Sequence, residues 1–324
     1  MSTNDDRPTV AIIILNWNNP DDTLACLRSV MALDYPTDRW QVIVVDNGST
    51  DDSVARIRAA YPDVLLIETG ANLGYAEGNN VGIRYALQTH PDHILILNND
   101  TEVRPDFLSR LVEEAESDPS IGVVGPKMYF LNPPDMVFAA GSLVKWAEGT
   151  LDHRGIWKRE SDCGPLYANS PEDVDFIVGC GVLFRREVLE EIGLLDNRYY
   201  LNFEDVDICI RAQRAGYRVR YTPHAVLYHK VSATLGQASP QNTYYMTRNG
   251  LLFFWSNLSG WRRWRTAVRV VARNLVHIVV WYLKPEYRRT TRAKRRANLL
   301  ALRDAVLGRF GKMGSDVEAV CQSH

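Results

Sequence analysis

The chain has 324 residues, of which 46% are hydrophobic and 23% are charged. This composition is typical of a folded globular protein and excludes a disordered chain. The first eight residues lack the apolar core of a signal peptide, so we expect no export. Five cysteines without paired spacing indicate reduced thiols in a cytosolic protein, not a disulfide framework or a zinc site: Cys26, Cys163, Cys180, Cys209 and Cys321.

Charge is unevenly distributed along the chain, although the formal net charge is only −2. Residues 1–245 carry 21 Lys and Arg against 35 Asp and Glu, whereas residues 246–312 carry 16 against 2. A segment this basic is expected to face something anionic. The candidates are phospholipid, nucleic acid and the acidic part of the chain itself.

The N-terminal third alternates predicted strands with predicted helices. Apolar runs predict strands at 10–15, 42–45, 64–68 and 93–97, and helical spacing predicts helices around 24–31, 52–60 and 77–88. Apolar strands separated by helices are typical of an α/β fold with a parallel sheet covered on both faces. Ligands of such sheets bind beyond the carboxyl ends of the strands. The polar turns after the strands are therefore expected to form the site.

The rest of the chain is less regular. The predicted elements are strands at 122–128 and 176–184, helices at 186–192 and 204–215, short strands at 217–221 and 225–228, and basic helices from Tyr244 onward. Residues 132–170 are predicted to form a long loop that acts as a lid or wall. The predicted domains are an α/β domain over 1–245, with halves at about 8–125 and 126–245, and a basic helical region over 246–324.

Polar residues follow the first two predicted strands. Leu15-Asn16-Trp17-Asn18 ends the first strand and Asp46 ends the second. A carboxylate at this place can accept hydrogen bonds from a pyrimidine N–H or a ribose hydroxyl. The alternative is equally open, because an aspartate here also orders an Asx-turn or caps the next helix.

Asn98-Asn99-Asp100 follows the fourth predicted strand. Carboxylate and amide oxygens suit a hard divalent cation that also binds a diphosphate, and His229 beyond a later strand offers a second ligand. A plain turn and a surface histidine are the alternative interpretation.

Two further segments contain candidate catalytic or phosphate-binding residues. Glu204, Asp205 and Asp207 open a predicted helix, where one acid could act as a general base or all could serve as helix caps. The loop over residues 70–80 contains glycines that permit close approach of the backbone to phosphate or sugar oxygens. This loop lacks the dinucleotide-binding fingerprint, and no Walker loop is present.

Together these motifs resemble the family 2 glycosyltransferases, an inverting group with the GT-A fold, and within it the bacterial rhamnosyltransferase-like members. The resemblance covers about residues 8–250. Its pieces are Ile12–Asn18, Val44–Asp51, Asn72–Asn80, Leu97–Asp100, Gly179–Gly181, Phe203–Asp207, Arg211–Tyr217 and Tyr228-His229.

The resemblance implies a Rossmann-like, mostly parallel central sheet and a role for each matched residue. Asp205 would be the base that deprotonates the acceptor, with Glu204 beside it. Asp100 and His229 would hold Mg²⁺ or Mn²⁺. A dTDP-linked or UDP-linked sugar would be bound by Leu15, Trp17, Asn18, Asp46, Gly74, Asn79, Asn98 and Asn99. The sequence departs from the family's Asp-x-Asp motif at Asn98, which removes one negative charge near the metal. This departure leaves open the alternative of a nucleotide-sugar-binding protein that has lost catalysis.

The basic region mixes arginine with aromatic and aliphatic residues. Its apolar stretches are shorter than the ~20 residues that a membrane-spanning helix needs. Tryptophan and arginine at helical spacing suit a helix that lies in the surface of an anionic membrane. We therefore expect a peripheral protein on the inner face of the cell membrane. Its acceptor is expected to be a lipid-linked glycan. The alternative is a subdomain that packs on the acidic part or forms a homodimer. A nucleic-acid-associated protein that acts through this basic region is a further alternative by charge, but no recognised motif supports it.

Overall fold

A computed structural model describes residues 7–163, 170–231, 239–284 and 290–322. The chain forms two compact units. The first, which we call the α/β unit, comprises Met1–Leu143, His153–Asp196 and Asp205–Val231. The second, the helical unit, comprises Val144–Asp152, Asn197–Glu204 and Ser232–His324. The predicted domain boundary at residue 245 stays a prediction.

The helices and strands alternate through the first third of the chain, as predicted. Up to residue 130 the elements are β1 (Val10–Asn16), α1 (Pro20–Val30), β2 (Trp40–Asp46), α2 (Ser53–Ala60), β3 (Leu65–Glu68), α3 (Gly74–Gln88), β4 (His93–Asn98), β5 (Thr101–Val103), α4 (Phe107–Glu116) and β6 (Ile121–Phe130).

The later elements become helical towards the C-terminus. They are β7 (Val137–Ala139), β8 (Ser142–Lys145), β9 (Thr150–His153), a 3₁₀ turn (Glu160–Asp162), β10 (Glu172–Asp173), β11 (Gly181–Arg185), α5 (Arg186–Ile192), α6 (Glu204–Arg214), β12 (Arg218–His229), α7 (Pro240–Asn257), α8 (Gly260–Leu283), α9 (Arg292–Val306) and α10 (Ser315–Gln322).

The α/β unit is built on one large sheet. In the described ranges it has the strand order β10-β12-β6-β11-β4-β1-β2-β3, while β5 pairs with β12 and β7 pairs with β6. Strands β3, β2, β1 and β4 run parallel, β6 and β12 form a second parallel pair, and β11 is antiparallel to both of its neighbours. The predicted α/β fold with a mostly parallel central sheet is confirmed.

Three central strands form the core of this sheet, and α3 lies against them. Apart from Leu15 and Trp40, the apolar residues of β1, β2 and β4 are almost fully buried, which is why these strands read as continuous hydrophobic runs. Helix α3 approaches β1 and β2 at Gly82, where an added Cβ would lie 2.6 Å from the Ile13 side chain and 3.0 Å from Val45. Only glycine allows this distance between helix and sheet.

Three predictions for the middle of the chain were wrong. Residues 132–170 are not one loop, because β7 pairs with β6 and β8 pairs with β9; residues 164–169 lie outside the described residues. The strand predicted at 176–184 begins only at Gly181. The two strands predicted at 217–221 and 225–228 are one strand, β12, with a register shift between Thr222 and Val226. Short antiparallel strands show only weak hydrophobic periodicity in the sequence. Pro223 indicated a break between two strands, because proline is rare inside a strand.

The helical unit has its own aromatic core. Tyr244 and Tyr245 of α7 pack with alanines of α9 and with α10 in a buried cluster. Arg248 is fully buried and lies over the rings of Tyr244 and Tyr245 at 5.1 and 5.0 Å, while its guanidinium donates to the Asn249 side chain. A buried guanidinium is tolerated because ring faces and oxygen acceptors replace its water.

The five cysteines are not paired in disulfides. Cys26 and Cys209 are fully buried, and burial raises the pKa of each thiol to about 12. They are therefore protonated, unreactive core residues.

Replacing Gly82 tests the close approach of α3 to the sheet. Gly82→Val should lower the free energy of unfolding by about 2 kcal/mol or more, because its methyl groups would overlap the fixed side chains of β1 and β2. Denaturant titration measures the change. Tyr85→Ala, on the exposed face of the same helix, should change it far less. Equal losses in the two variants would contradict the close packing.

Candidate active site

Polar side chains meet at the carboxyl ends of three neighbouring parallel strands. In the register of the sheet, Asn16 of β1 lies beside Asp46 of β2, and Leu15 lies beside Asn98 of β4. The apolar parts of the strands fix this register, since a shift of one residue would turn buried side chains to the other face. The sheet thus brings together the motifs that the sequence holds about 30 and 80 residues apart.

Asp46 is held by a short network of hydrogen bonds. The Asn16 amide donates to Asp46 Oδ1 at 2.7 Å, and the Ser49 backbone N–H donates to Asp46 Oδ2 at 3.0 Å. The Thr23 hydroxyl donates to Asn16 Oδ1 at 2.6 Å. The Asn99 amide in turn donates to the Thr23 hydroxyl at 3.0 Å. The turn-forming role predicted for Asp46 as an alternative is therefore present, and each of its oxygens keeps a further lone pair for a ligand.

The glycine-bearing loop approaches this network closely. Asn47 Oδ1 accepts from the Leu73 backbone N–H at 2.9 Å, and its amide donates to the Gly74 carbonyl at 3.1 Å. Gly74 begins α3 with φ of 83°, a left-handed conformation that favours glycine. An added Cβ at Gly48 would lie 2.5 Å from the Ala71 backbone. The loop is thereby fixed against the end of β2.

Tyr75 connects this loop to two other parts of the edge. Its hydroxyl lies 2.9 Å from Asn98 Oδ1 and 2.6 Å from the Gly179 carbonyl oxygen. The Gly179 backbone N–H donates to Asp205 Oδ2 at 2.9 Å. Asn98 and Asp205, more than a hundred residues apart, therefore belong to one connected set of contacts.

Asp205 has the environment of a weakened acid. Its carboxyl is desolvated, which raises its pKa above the usual range, although the N–H groups of Gly179 and Val206 act in the opposite direction. Asp207, two residues further along α6, instead pairs with Arg211 at 2.8 Å. Glu204 is buried at the first position of α6. The three acids of this motif thus occupy different environments.

Asp100 and His229 lie side by side, as the metal hypothesis requires. Antiparallel pairing of β5 with β12 places Thr101 opposite His229, and His229 Nε2 lies 3.2 Å from Asp100 Oδ1. Both residues are buried. Burial opposes the imidazolium charge, but Cys180 and Asp100 favour it, so the pKa of His229 is raised above its usual range. In the part of the chain that the structure describes, no third His, Cys, Asp or Glu completes a metal cluster.

The remaining predicted site residues have mixed surroundings. Trp17 is exposed after β1, and an added Cβ at Gly78 would lie 2.7 Å from Leu15, so α3 covers the Leu15 side chain. The Asn18 side chain accepts from the Thr50 backbone N–H at 2.9 Å. Asn79 is fully buried, with its amide donating to the Tyr75 carbonyl at 2.9 Å, which is a structural contact inside α3.

Several residues of this edge were not singled out from the sequence. Asn16 and Thr23 hold Asp46, and Tyr75 reaches Gly179. Lys230 extends from the end of β12 and donates to Asp22 at 2.6 Å, placing a cation next to the residues of the predicted metal site. Asn16 and Tyr75 stood in quoted motifs without a role of their own, but nothing local marked Thr23 or Lys230, whose partners lie elsewhere in the chain.

The sequence matches a known family over this region. The family model of Glycosyl transferase family 2 matches residues 11–193, which is more than half of the chain. An N-acetylglucosaminyl-diphospho-decaprenol L-rhamnosyltransferase of Mycobacterium tuberculosis is 29% identical over 292 residues, covering 82% of this chain and 91% of that protein. The dTDP-rhamnosyl transferase RfbF of Shigella flexneri is 23% identical over 224 residues, covering 67% and 71%.

Solved structures share the fold. A mannosyltransferase of Pyrobaculum calidifontis in complex with GDP-Man and Mn²⁺ superposes with a TM-score of 0.57 at 18% identity, covering 94% of this chain and 89% of that one. S. aureus TarS 1–349 in complex with UDP-GlcNAc gives 0.55 at 16% identity, covering 96% and 83%. The chain belongs to glycosyl transferase family 2 and is a glycosyltransferase with a GT-A-like fold.

Replacing Asn16 by a second acid tests the network around Asp46. Asn16→Asp should destabilise the protein by about 2–4 kcal/mol at pH 7, because two carboxylates would then face each other in a buried place. The folded-state pKa of one carboxyl would rise above its unfolded value. The loss should therefore be largest well above that pKa and should shrink as the pH is lowered through it.

Thermal unfolding at pH 7 and pH 5 measures this dependence. Asn18→Asp is the control, because Asn18 Oδ1 only accepts a backbone hydrogen bond, which a carboxylate also does. A pH-independent loss in Asn16→Asp would mean that residues 16 and 46 are not in contact.

Proposed function

We propose that this glycosyltransferase moves a hexose, with inversion, from a nucleoside diphosphate sugar to an acceptor hydroxyl. Two observations carry the proposal. The register of β1 with β2 and β4 places Asp46 and Asn98 at one edge of the sheet. The contacts of Tyr75 and Gly179 then join Asn98 to Asp205. Donor binding at the strand ends and a base within the same edge are the two requirements of such a transfer.

The proposed donor is dTDP-rhamnose, with UDP-linked sugars as the alternative. The rhamnosyl transfer named for the relatives from Mycobacterium tuberculosis and Shigella flexneri supports the first choice. The proposed binding residues are Leu15, Trp17, Asn18, Asp46, Gly74, Asn79, Asn98 and Asn99. Asp46 would accept from the base or ribose through the lone pairs that Asn16 and Ser49 leave open.

Asp100 and His229 fit a divalent cation by the chemistry of their donor atoms. Carboxylate oxygen and imidazole nitrogen are ligands of Mn²⁺, and the two lie 3.2 Å apart in a buried place. Diphosphate oxygens and water would complete the coordination. When bound, Mn²⁺ or Mg²⁺ would neutralise negative charge that develops on the departing diphosphate. Asn98 cannot supply a charged oxygen, so Asp100 would be the acid that holds the ion.

Asp205 is the proposed general base, with Glu204 beside it at the start of α6. The acceptor oxygen would form its bond to the anomeric carbon while the bond from that carbon to the diphosphate oxygen breaks on the opposite face. The acceptor proton would pass to Asp205. Desolvation raises the pKa of this carboxyl, which makes it a stronger base than an ordinary aspartate.

The proposed acceptor is a lipid-linked glycan of the cell envelope. Support comes from the relative from Mycobacterium tuberculosis, whose name specifies a diphospho-decaprenol acceptor. An acceptor of this kind is confined to a membrane surface. The proposed location is accordingly the cytoplasmic face of the cell membrane, with the protein attached peripherally.

Asp205→Asn tests the base. The substitution should lower kcat by about 10²–10⁴-fold with little change in nucleotide affinity, because only proton transfer is lost. In the unaltered enzyme, kcat/KM should rise with pH through the raised pKa of Asp205. The rise of kcat/KM on the acidic side of the pH profile should thus have its midpoint above about pH 3.9, the usual pKa of aspartate.

Asp207→Asn is the matched control on the same helix. This acid pairs with Arg211, so its substitution should lower stability while leaving the midpoint of that rise unchanged. Full turnover in Asp205→Asn, with wild-type kcat across pH, would overturn the assignment of the base.

Asp100→Asn tests the cation site. Mn²⁺ affinity, measured by calorimetry in the presence of a nucleoside diphosphate, should fall by at least about 10-fold, because the ligand's charge is lost. Asp63→Asn, at an exposed position before β3, provides the control for the same chemical change. Unchanged Mn²⁺ binding in Asp100→Asn would place the ion elsewhere.

A further inference from the structure

Helix α8 turns its apolar side chains towards solvent. Within its 24 residues, a line of large hydrophobic side chains recurs every three, four or seven positions, and each is between 44% and 69% exposed. We call this line the outward stripe; it consists of Trp261, Trp264, Val268, Leu275, Val279 and Leu283. Helices of soluble proteins normally turn such a stripe inward.

The opposite face of α8 is already attached within the helical unit. The Thr266 hydroxyl donates to the Trp146 carbonyl at 3.1 Å, and Arg273 donates to the carbonyls of Glu148 and Gly149 at 3.0 and 2.8 Å. Asn274 Oδ1 accepts from Thr247 and Asn298, both at 3.1 Å. Since these bonds fix the rotation of the helix about its axis, the outward stripe cannot turn into the core of its own unit.

Arginines line one side of the outward stripe. Arg262, Arg265 and Arg269 are exposed and spaced three and four residues apart, which places them together on one flank of the helix. Arg265 lies over the Trp261 ring at 5.2 Å, and Arg269 donates to the Ala147 carbonyl at 2.5 Å. Guanidinium groups beside exposed tryptophan form a surface that can bind a partner with both apolar and negatively charged parts.

An anionic bilayer is such a partner when the helix lies in its plane. Among the described residues, α8 is the one helix long and apolar enough to cross a membrane by length and composition alone. Crossing would take Arg265, Arg269 and Arg273 into hydrocarbon and break the bonds of Thr266 and Asn274. In the plane of the surface, the stripe enters the acyl boundary and the arginines stay among lipid phosphates.

We propose that the outward stripe of α8 binds the surface of an anionic membrane. Its tryptophans would lie at the headgroup level, where indole rings are enriched, and its aliphatic residues would enter the outer acyl region. The arginine flank would bind lipid phosphates. The outward stripe would thus be the surface that attaches the protein to the membrane proposed above, whatever sugar the enzyme transfers.

Sedimentation of the full-length protein with vesicles tests the proposal. The protein should bind phosphatidylglycerol–phosphatidylcholine vesicles and bind pure phosphatidylcholine far less. Val268→Asp, in the stripe, should weaken binding by about ten-fold or more, because a charge replaces an apolar side chain that would enter the bilayer. Val306→Asp makes the same change at the end of α9, outside the stripe and also exposed, and should bind like the wild type.

A second variant separates charge from apolar contact. Replacing Arg262, Arg265 and Arg269 by glutamine should remove most of the preference for anionic vesicles, about 100-fold for three cations near the surface. Unfolding temperatures equal to that of the wild type would establish that each variant is folded.

Three results would overturn the proposal. One is no sedimentation of the wild type with anionic vesicles. Another is equal binding by Val268→Asp and Val306→Asp. The third is a wild-type dimer that Val268→Asp converts to a monomer, without vesicle binding by either, which would make a second copy of the chain the partner of the stripe. Loss of vesicle binding with turnover retained on a water-soluble acceptor would leave the proposed chemistry intact.

Discussion

Asn16, Asp46 and Asn98 are neighbours because β1 pairs in parallel with β2 on one side and with β4 on the other. Parallel pairing sends all three carboxyl ends to the same edge, and the buried aliphatic residues before them prevent a change of register. The hydrogen bonds of Asp46, the position of the loop before α3 and the contact of Tyr75 with Asn98 all follow from that alignment. The relative positions of these three residues therefore depend on the core of the sheet beneath them.

The acids of this edge differ in how the protein treats their charge. Asp46 accepts hydrogen bonds from a side-chain amide and from a backbone N–H. Asp205 is desolvated, and the two backbone N–H groups that it accepts do not fully compensate. Different environments for chemically identical groups are how one site can hold both a binding acid and a base. Asp100 differs again, since its partner is the imidazole of His229.

The helical unit uses the same types of residue for two opposite purposes. Tyrosine rings and Arg248 form its interior, where the guanidinium lies over the ring faces. Tryptophan and arginine on α8 lie outside, where the polar residues Thr266, Arg273 and Asn274 make the contacts with the unit. Hydrophobic composition alone does not distinguish these two cases, because burial depends on which face of a helix its neighbours cover.

Sequence alone determined the alternating order of the first third, the polar turns after β1, β2 and β4, and the family, because continuous apolar strands and ordered motifs are local signals. It failed where short antiparallel strands replaced the loop expected at 132–170, since their partners are set by the rest of the sheet. Only the tertiary structure decided that Tyr75 reaches Gly179 and that α8 turns its apolar face outward. Contacts between distant residues, and the side from which a helix is held, depend on packing that no local pattern encodes.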